Sequence, residues 1–157
     1  MNLSDLGNSG KLIALELALL AACLAVPAWQ NAALDRRASE VVRAVRVVRA
    51  AASTQHAARG AWAEDGAPGQ APASLVAYLP GGFAFDRGSY TLDWIDLPVN
   101  GGDEAEAAGA FVGVSVLSQD ARLLDRVDRL LGSGQAHFSV GDRLTVVLAS
   151  GPSAPAP

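Results

Sequence analysis

The chain has 157 residues, half of them hydrophobic, with 12 basic and 16 acidic side chains and a formal net charge of -4. That gives room for one domain of ordinary size with an attached segment, and enough apolar material for a core. The acidic balance argues against coating nucleic acid through bulk positive charge, and the single cysteine, Cys23, excludes an internal disulfide or a thiolate metal cluster within one chain.

Residues 12–29 form an apolar run broken only by Glu16 and Pro27. As a helix it would span roughly 27 Å, near the thickness of a bilayer's hydrocarbon core. A secretory signal peptide would want basic residues ahead of this run, and residues 1–10 contain no Lys or Arg. A buried core helix is the other alternative, with Cys23 as a small apolar packing residue. Trp29 suits an interfacial anchor at the far edge. Lys11 on one side faces Arg36, Arg37 and Arg43 on the other, a bias that by itself would keep the C-terminal part in the cytoplasm.

Residues 31–59 contain no Gly or Pro and are rich in Ala, Arg and Val. Leu34, Ala38, Val41, Val45, Val48 and Ala52 recur at steps of three and four, which draws one apolar stripe along a helix. Arg43, Arg46 and Arg49 fall mainly on the other side, a candidate charged contact face. One helix is expected over residues 11–59, with a possible kink at Pro27, where a backbone hydrogen bond is lost.

Residues 60–72 are rich in Gly and Pro and read as loop. "SLVAYL" is a short helical turn or strand edge closed by "PGG". "SYTLDWIDL", residues 89–97, alternates as a strand, with Tyr90, Leu92 and Trp94 on one side and Thr91, Asp93 and Ile95 on the other. A polar acidic loop leads to a second strand over residues 110–117. Ser118 can cap a helix over residues 119–131, whose inner face is Leu123, Leu124, Val127, Leu130 and Leu131. Two further strands flank Gly141 and Asp142, a hairpin signal. Residues 150–157 read as a disordered tail. The expected fold class is therefore α+β: a long N-terminal helix, membrane-inserting in its first half and amphipathic in its second, packed on a small, mostly antiparallel sheet with one further helix. The divisions are residues 1–10, the helix 11–59, a head over 60–149 and the tail.

His56 and His137 are the only histidines and have no patterned carboxylate beside them, which argues against a zinc site or a catalytic triad. Asp93, Asp96, Asp103 and Glu104 gather around one loop, so oxygen ligands for calcium are available, although a solvated loop is the simpler reading. No other cofactor is indicated. No nucleophile, base and orienter can be set together, so an enzyme is not expected. The Arg series could meet phosphates, but charge stripes of this kind more often face solvent or a neighbouring subunit, and nucleic acid is not the expected partner.

Gly10, then an apolar helix with a lone Glu16 near its start, then "AVPAWQ" running into an amphipathic helix, resembles the type IV pilin and type II secretion pseudopilin superfamily. Gly60, Trp62, Gly66, Pro72, Ser74, Leu75, Tyr78, Leu79 and Pro80 look like the segment that leaves the pilin helix for the sheet. The resemblance covers about the first half of the chain. It implies cleavage by a leader peptidase after Gly10, methylation of the new N-terminus at Lys11, and helices that stack in a filament built by a membrane assembly platform. Identical or related subunits are then the partners, and the chain moves from a bacterial inner membrane into a periplasmic or extracellular filament. Glu16 would pair with a neighbour's N-terminal amine, and Pro27 would lie in the assembly helix. Calcium in a head loop is a property of one pseudopilin class.

A carboxylate inside hydrocarbon needs such a cationic partner. Lys11 of the same helix is the local alternative. The function expected is a structural filament subunit; the alternative is a single-pass membrane-anchored binding or regulatory module with a soluble head.

Overall fold

The computed structural model describes the backbone of residues 3–99 and 109–152, and the side chains of Glu16, Cys23 and residues 26–96 and 111–149. The first helix, α1, is Leu3–Arg59, 57 residues long, and it continues through Pro27. It starts earlier than the apolar pattern suggests, because the pattern marks which residues want burial and not where backbone hydrogen bonding begins. The chain divides into two compact units, Met1–Arg36 and Arg37–Pro157.

The second unit holds the head. A single helical turn, α2 (Ala73–Val76), is followed by strands β1 (Thr91–Val99) and β2 (Gly109–Leu117), helix α3 (Ala121–Leu131), and strands β3 (His137–Val140) and β4 (Arg143–Pro152). These form one antiparallel sheet with the order β1-β2-β4-β3. The α+β expectation holds at this level: a long helix, a small antiparallel sheet and a further helix. Among the described residues no helix is long and apolar enough to cross a membrane. Apart from Glu16, Cys23 and residues 26–29, the side chains of the run 12–29 lie outside the described residues.

The alternation read in β1 has its physical counterpart in the sheet. Leu92, Val116 and Leu144 stand in one cross-strand row and Trp94, Val114 and Val146 in the next, all of them 0–1 % exposed. On α1 the expected stripe is equally withdrawn from Ala38 onward, with Ala38, Val41, Val45, Val48 and Ala52 at 0 %, while Leu34 at its start is only partly buried. Leu123, Leu124 and Val127 of α3 complete this layer of apolar side chains. The Trp94 indole donates to the Ala63 carbonyl at 2.9 Å, which satisfies the one polar atom of the largest buried side chain.

Three details differ from the pattern. Asp120, not Ser118, caps α3: its carboxylate accepts from the amides of Arg122 and Leu123 at 3.1 and 3.3 Å. Ser118 sits two residues earlier, donating to the Ser89 carbonyl and accepting from the Asp120 amide. Strand β4 runs on through Ser150, Gly151 and Pro152, which pair with Phe111, Ala110 and Gly109 of β2. The expected disordered tail therefore begins inside the sheet, because β2 extends far enough to offer those residues partners. The rest of that tail, from Ser153, lies outside the described residues. Finally, the free edge of β1 is covered by chain, with the Leu92 amide donating to Phe85 and the Leu92 carbonyl accepting from Gly69.

At Gly113 the ladder between β2 and β4 slips by one residue. A Cβ there would meet the Val146 carbonyl oxygen at 2.9 Å and the Phe111 ring at 3.3 Å. Gly113→Ala is expected to destabilise the head by about 1–3 kcal/mol through overpacking against backbone. A lowered urea midpoint with unchanged slope would register this; an unchanged midpoint would show that the strand relaxes without cost.

Candidate functional site

Among the described residues, large apolar side chains stand exposed on α1 at Val26 and Trp29 and on the head at Val76, Leu130, Phe138 and Val140. Glu16, Cys23 and residues 26–32 are exposed, including Val26 at 53 % and Trp29 at 68 %. Cys23 is thus not the packed core residue that composition suggests, since its side chain is exposed. Pro27 lies in the same exposed stretch. Burial begins only at Ala38. Gly10 and Lys11 belong to α1, but their side chains, and so any Lys11–Glu16 pair, lie outside the described residues.

Further along α1, Arg43, Arg46 and Arg49 are all exposed. Arg43 and Arg46 line a shallow groove of about 270 Å³ with Ser39, Val42 and Leu130, and Leu130 is itself 45 % exposed. The expected inward position of Leu130 on α3 is therefore corrected: it lies half-exposed at the margin, beside Val42, Arg43 and Arg46 of α1.

Of the acidic candidates, Asp93 and Asp96 are described. Asp93 is 5 % exposed on the outer face of the sheet, where the Arg143 guanidinium donates to it at 3.0 Å. Burial raises its pKa above the usual carboxylate value, Arg143 opposes that rise and Asp65 adds to it. Asp96 is raised as well, by burial first and then by Asp65. Asp103 and Glu104 lie outside the described residues. Among the described residues no group of His, Cys, Asp and Glu could hold a metal ion.

Two clefts in the head contain polar side chains. One, of about 570 Å³, is bordered by Arg37, Tyr90, Ser118, Asp120 and Asp142. Burial raises the Tyr90 pKa, Arg87 lowers it and Glu40 raises it, and the hydroxyl has no hydrogen-bond partner. The other, of about 480 Å³, is bordered by Gln55, Arg59, Trp62, Glu64, Asp65 and Ser74. Gln55 is 1 % exposed; its Nε2 donates to the Ser74 hydroxyl at 3.1 Å, while Oε1 meets no partner. An unpaired buried amide oxygen costs about 1–3 kcal/mol. Beside it the His56 ring stacks on Trp62 at 4.1 Å, with Nδ1 likewise unpartnered.

Sequence reasoning passed over Gln55 although a signal was present. The apolar stripe steps from Ala52 to position 55, and a polar residue stands there at a core position. Tyr90 shows in the sequence only as one side of a strand. His137 lies between the Gln135 carbonyl at 2.7 Å and Asp128 of α3 at 2.9 Å, tying β3 to α3. The two histidines occur in separate settings, one stacked and one bridging.

Compared with protein-family models, curated proteins and solved structures, the chain matches none.

The raised carboxyls of Asp93 and Asp96 fix the sign of one pH effect. A carboxyl whose folded pKa exceeds its unfolded value binds its proton more tightly when folded. Its contribution to stability is fully present below the unfolded value of 3.8 and is lost as pH rises through the higher folded value. Asp96→Asn should therefore raise the melting temperature at neutral pH and flatten its dependence between pH 4 and neutrality, as thermal scans across that range would detect. A variant with the parent's slope would mean that Asp96 does not resist ionisation in the fold.

Proposed function

We propose that this chain is a structural subunit of a type IV pilus-like filament or secretion pseudopilus, assembling through the first part of α1 and presenting its head outward. The observation that carries this reading is the change along one helix. Residues 26–32 expose apolar and aromatic side chains, and the same helix then enters a stripe that is fully buried in the head. An apolar surface that its own chain leaves bare is the mark of a partner or of lipid. The antiparallel sheet that follows α1 agrees with the head that the resemblance leads one to expect.

On this reading the run 12–29 inserts into the membrane before assembly, Gly10 and Lys11 flank the processing site, and Glu16 meets the N-terminal amine of a neighbour. Pro27 falls within the assembling segment. The chemistry required of the chain is association, not turnover, and neither a metal nor a cofactor is assigned to it. The partners are copies of this chain or related subunits.

A second reading draws on the charges at either end of the run. Arg36, Arg37 and Arg43 follow it and only Lys11 precedes it, which favours an anchored module whose head stays on the cytoplasmic side. Protease accessibility of the head in intact cells separates the two readings.

For the filament reading, mass spectrometry of native assembled material should give an N-terminus at Lys11; an intact Met1 there would sink the processing claim. Glu16→Lys should abolish assembled material in electron micrographs while the head keeps the parent's thermal transition. Undiminished filaments from that variant would remove Glu16 from assembly.

A further inference from the structure

We propose that the head itself carries a second contact between copies of this chain, in which Arg43 and Arg46 of one copy enter the acidic cleft at Gln55, Glu64 and Asp65 of the next. The proposal rests on the filament reading and gives it a specific subunit interface.

The cleft is a receptor for hydrogen-bond donors. Gln55 closes its floor, 1 % exposed and with its own amide oxygen withdrawn from water, so the acceptors that a partner can reach there are the carboxylates. Glu64 and Asp65 stand on the same wall, and both are exposed. Asp65 also acts electrostatically on Asp96 nearby, so Arg59, the one base bordering the cleft, faces a majority of carboxylates. A guanidinium suits that wall, because its fixed fork of donors can meet two carboxylate oxygens together. Trp62 adds an aromatic wall that suits the same planar cation.

The complementary surface is on the same head. Arg43 and Arg46 are exposed, and among the described residues neither has an acidic partner. Both border the groove that contains Leu130, so an apolar contact sits beside two unneutralised cations. A surface that pairs charge with exposed Leu suits a protein neighbour better than solvent alone.

Helical geometry then sets the form of the contact. Arg46 and Gln55 are nine residues apart in sequence, about two and a half turns, so they lie on opposite sides of α1. Two complementary patches on opposite sides make a heterologous contact, which repeats without closing on a pair. If the copies run parallel, seating Arg46 at the level of the next Gln55 offsets them by about 14 Å along the helix axis; seating Arg43 there gives about 18 Å. The head thereby contributes register to a polymer whose cohesion comes from the apolar part of α1.

The test uses the full chain, purified in detergent and allowed to polymerise on detergent removal. Arg43→Glu with Arg46→Glu, and separately Glu64→Arg with Asp65→Arg, should each raise the concentration needed for polymer about tenfold, as expected when like charges meet in an interface. Combining all four changes should recover most of the loss. In a Cys23→Ser background, Arg46→Cys mixed with Glu64→Cys should give a covalent ladder with a short thiol cross-linker, and neither variant alone should. Polymer that forms normally in both reversed chains, without a ladder, overturns this contact and leaves the filament reading standing. No polymer from the unaltered chain overturns both. Loss of binding to anionic vesicles with polymer unaffected would assign the arginines to lipid and overturn the contact as well.

Discussion

Val41, Val45, Val48 and Ala52 lie a turn apart on α1 and are fully withdrawn from water. The inner face of the sheet, from Leu92 and Trp94 through Val114 to Val146, is equally dry. Each buried Val or Leu contributes about 1.5–3 kcal/mol from apolar transfer. A four-stranded sheet of this size cannot hide one face unaided, and a helix shows only a narrow stripe to its partner. The two surfaces therefore need each other. The side chains of the helix at its fully buried positions are short, Ala and Val at each of them but Gln55, while the bulk comes from Trp94, Phe85 and Leu75.

The other face of the sheet is organised differently. Asp93, Ser115, Thr145 and Phe138 form one cross-strand row. Ser115 and Thr145 share a hydrogen bond of 2.7 Å, and Arg143 reaches across from the neighbouring row to Asp93. These polar groups are nearly dry, at 5 % for Asp93, 0 % for Ser115 and 1 % for Thr145. Sliding β4 by one residue would move Arg143 and Thr145 to the apolar side and strand Asp93 without a cation, a loss far larger than any gain in ladder bonds. The row thus adds little to stability while it strongly specifies register. Gly113 and the slip beside it, where Leu148 of β4 goes unpaired, tighten that specification, because the Phe111 ring fills the space where a side chain would stand and reaches Phe138 at 6.0 Å.

Much of this was legible in the sequence because it follows from period. Steps of three and four gave the α1 stripe, alternation gave β1, and Gly141-Asp142 gave the final hairpin. Composition could not locate the ends of elements. Ser118 and Asp120 are both competent caps two residues apart, and only the demand of the Ser89 carbonyl for a donor decides between them. Likewise Ser150, Gly151 and Pro152 look like linker until β2 provides a strand of matching length. The clefts were the least legible. Gln55, Trp62, Glu64 and Ser74 belong to a helix end, a loop and a single-turn helix, and no periodicity links them. The sequence clue was negative, a polar residue where the stripe called for an apolar one.

That polar residue has a structural consequence of its own. Were position 55 another Val, the stripe of α1 would simply continue, and the loop after Arg59 would cover it as apolar core. Glutamine instead ends the dry zone with one bond to Ser74 and one unanswered oxygen, so the packing opens into a cleft where the loop must turn away. The Arg face and this cleft are then fixed to each other by a single run of helix, with no loop or hinge between them. Helical hydrogen bonding makes that run stiff, and the burial of Val45, Val48 and Ala52 between Arg43 and Gln55 holds it against the sheet. A spacing set by a packed helix changes little under load, whereas one set by a loop would vary. In the polymer proposed above, the distance between donor and acceptor surfaces is therefore a property of the fold's own core.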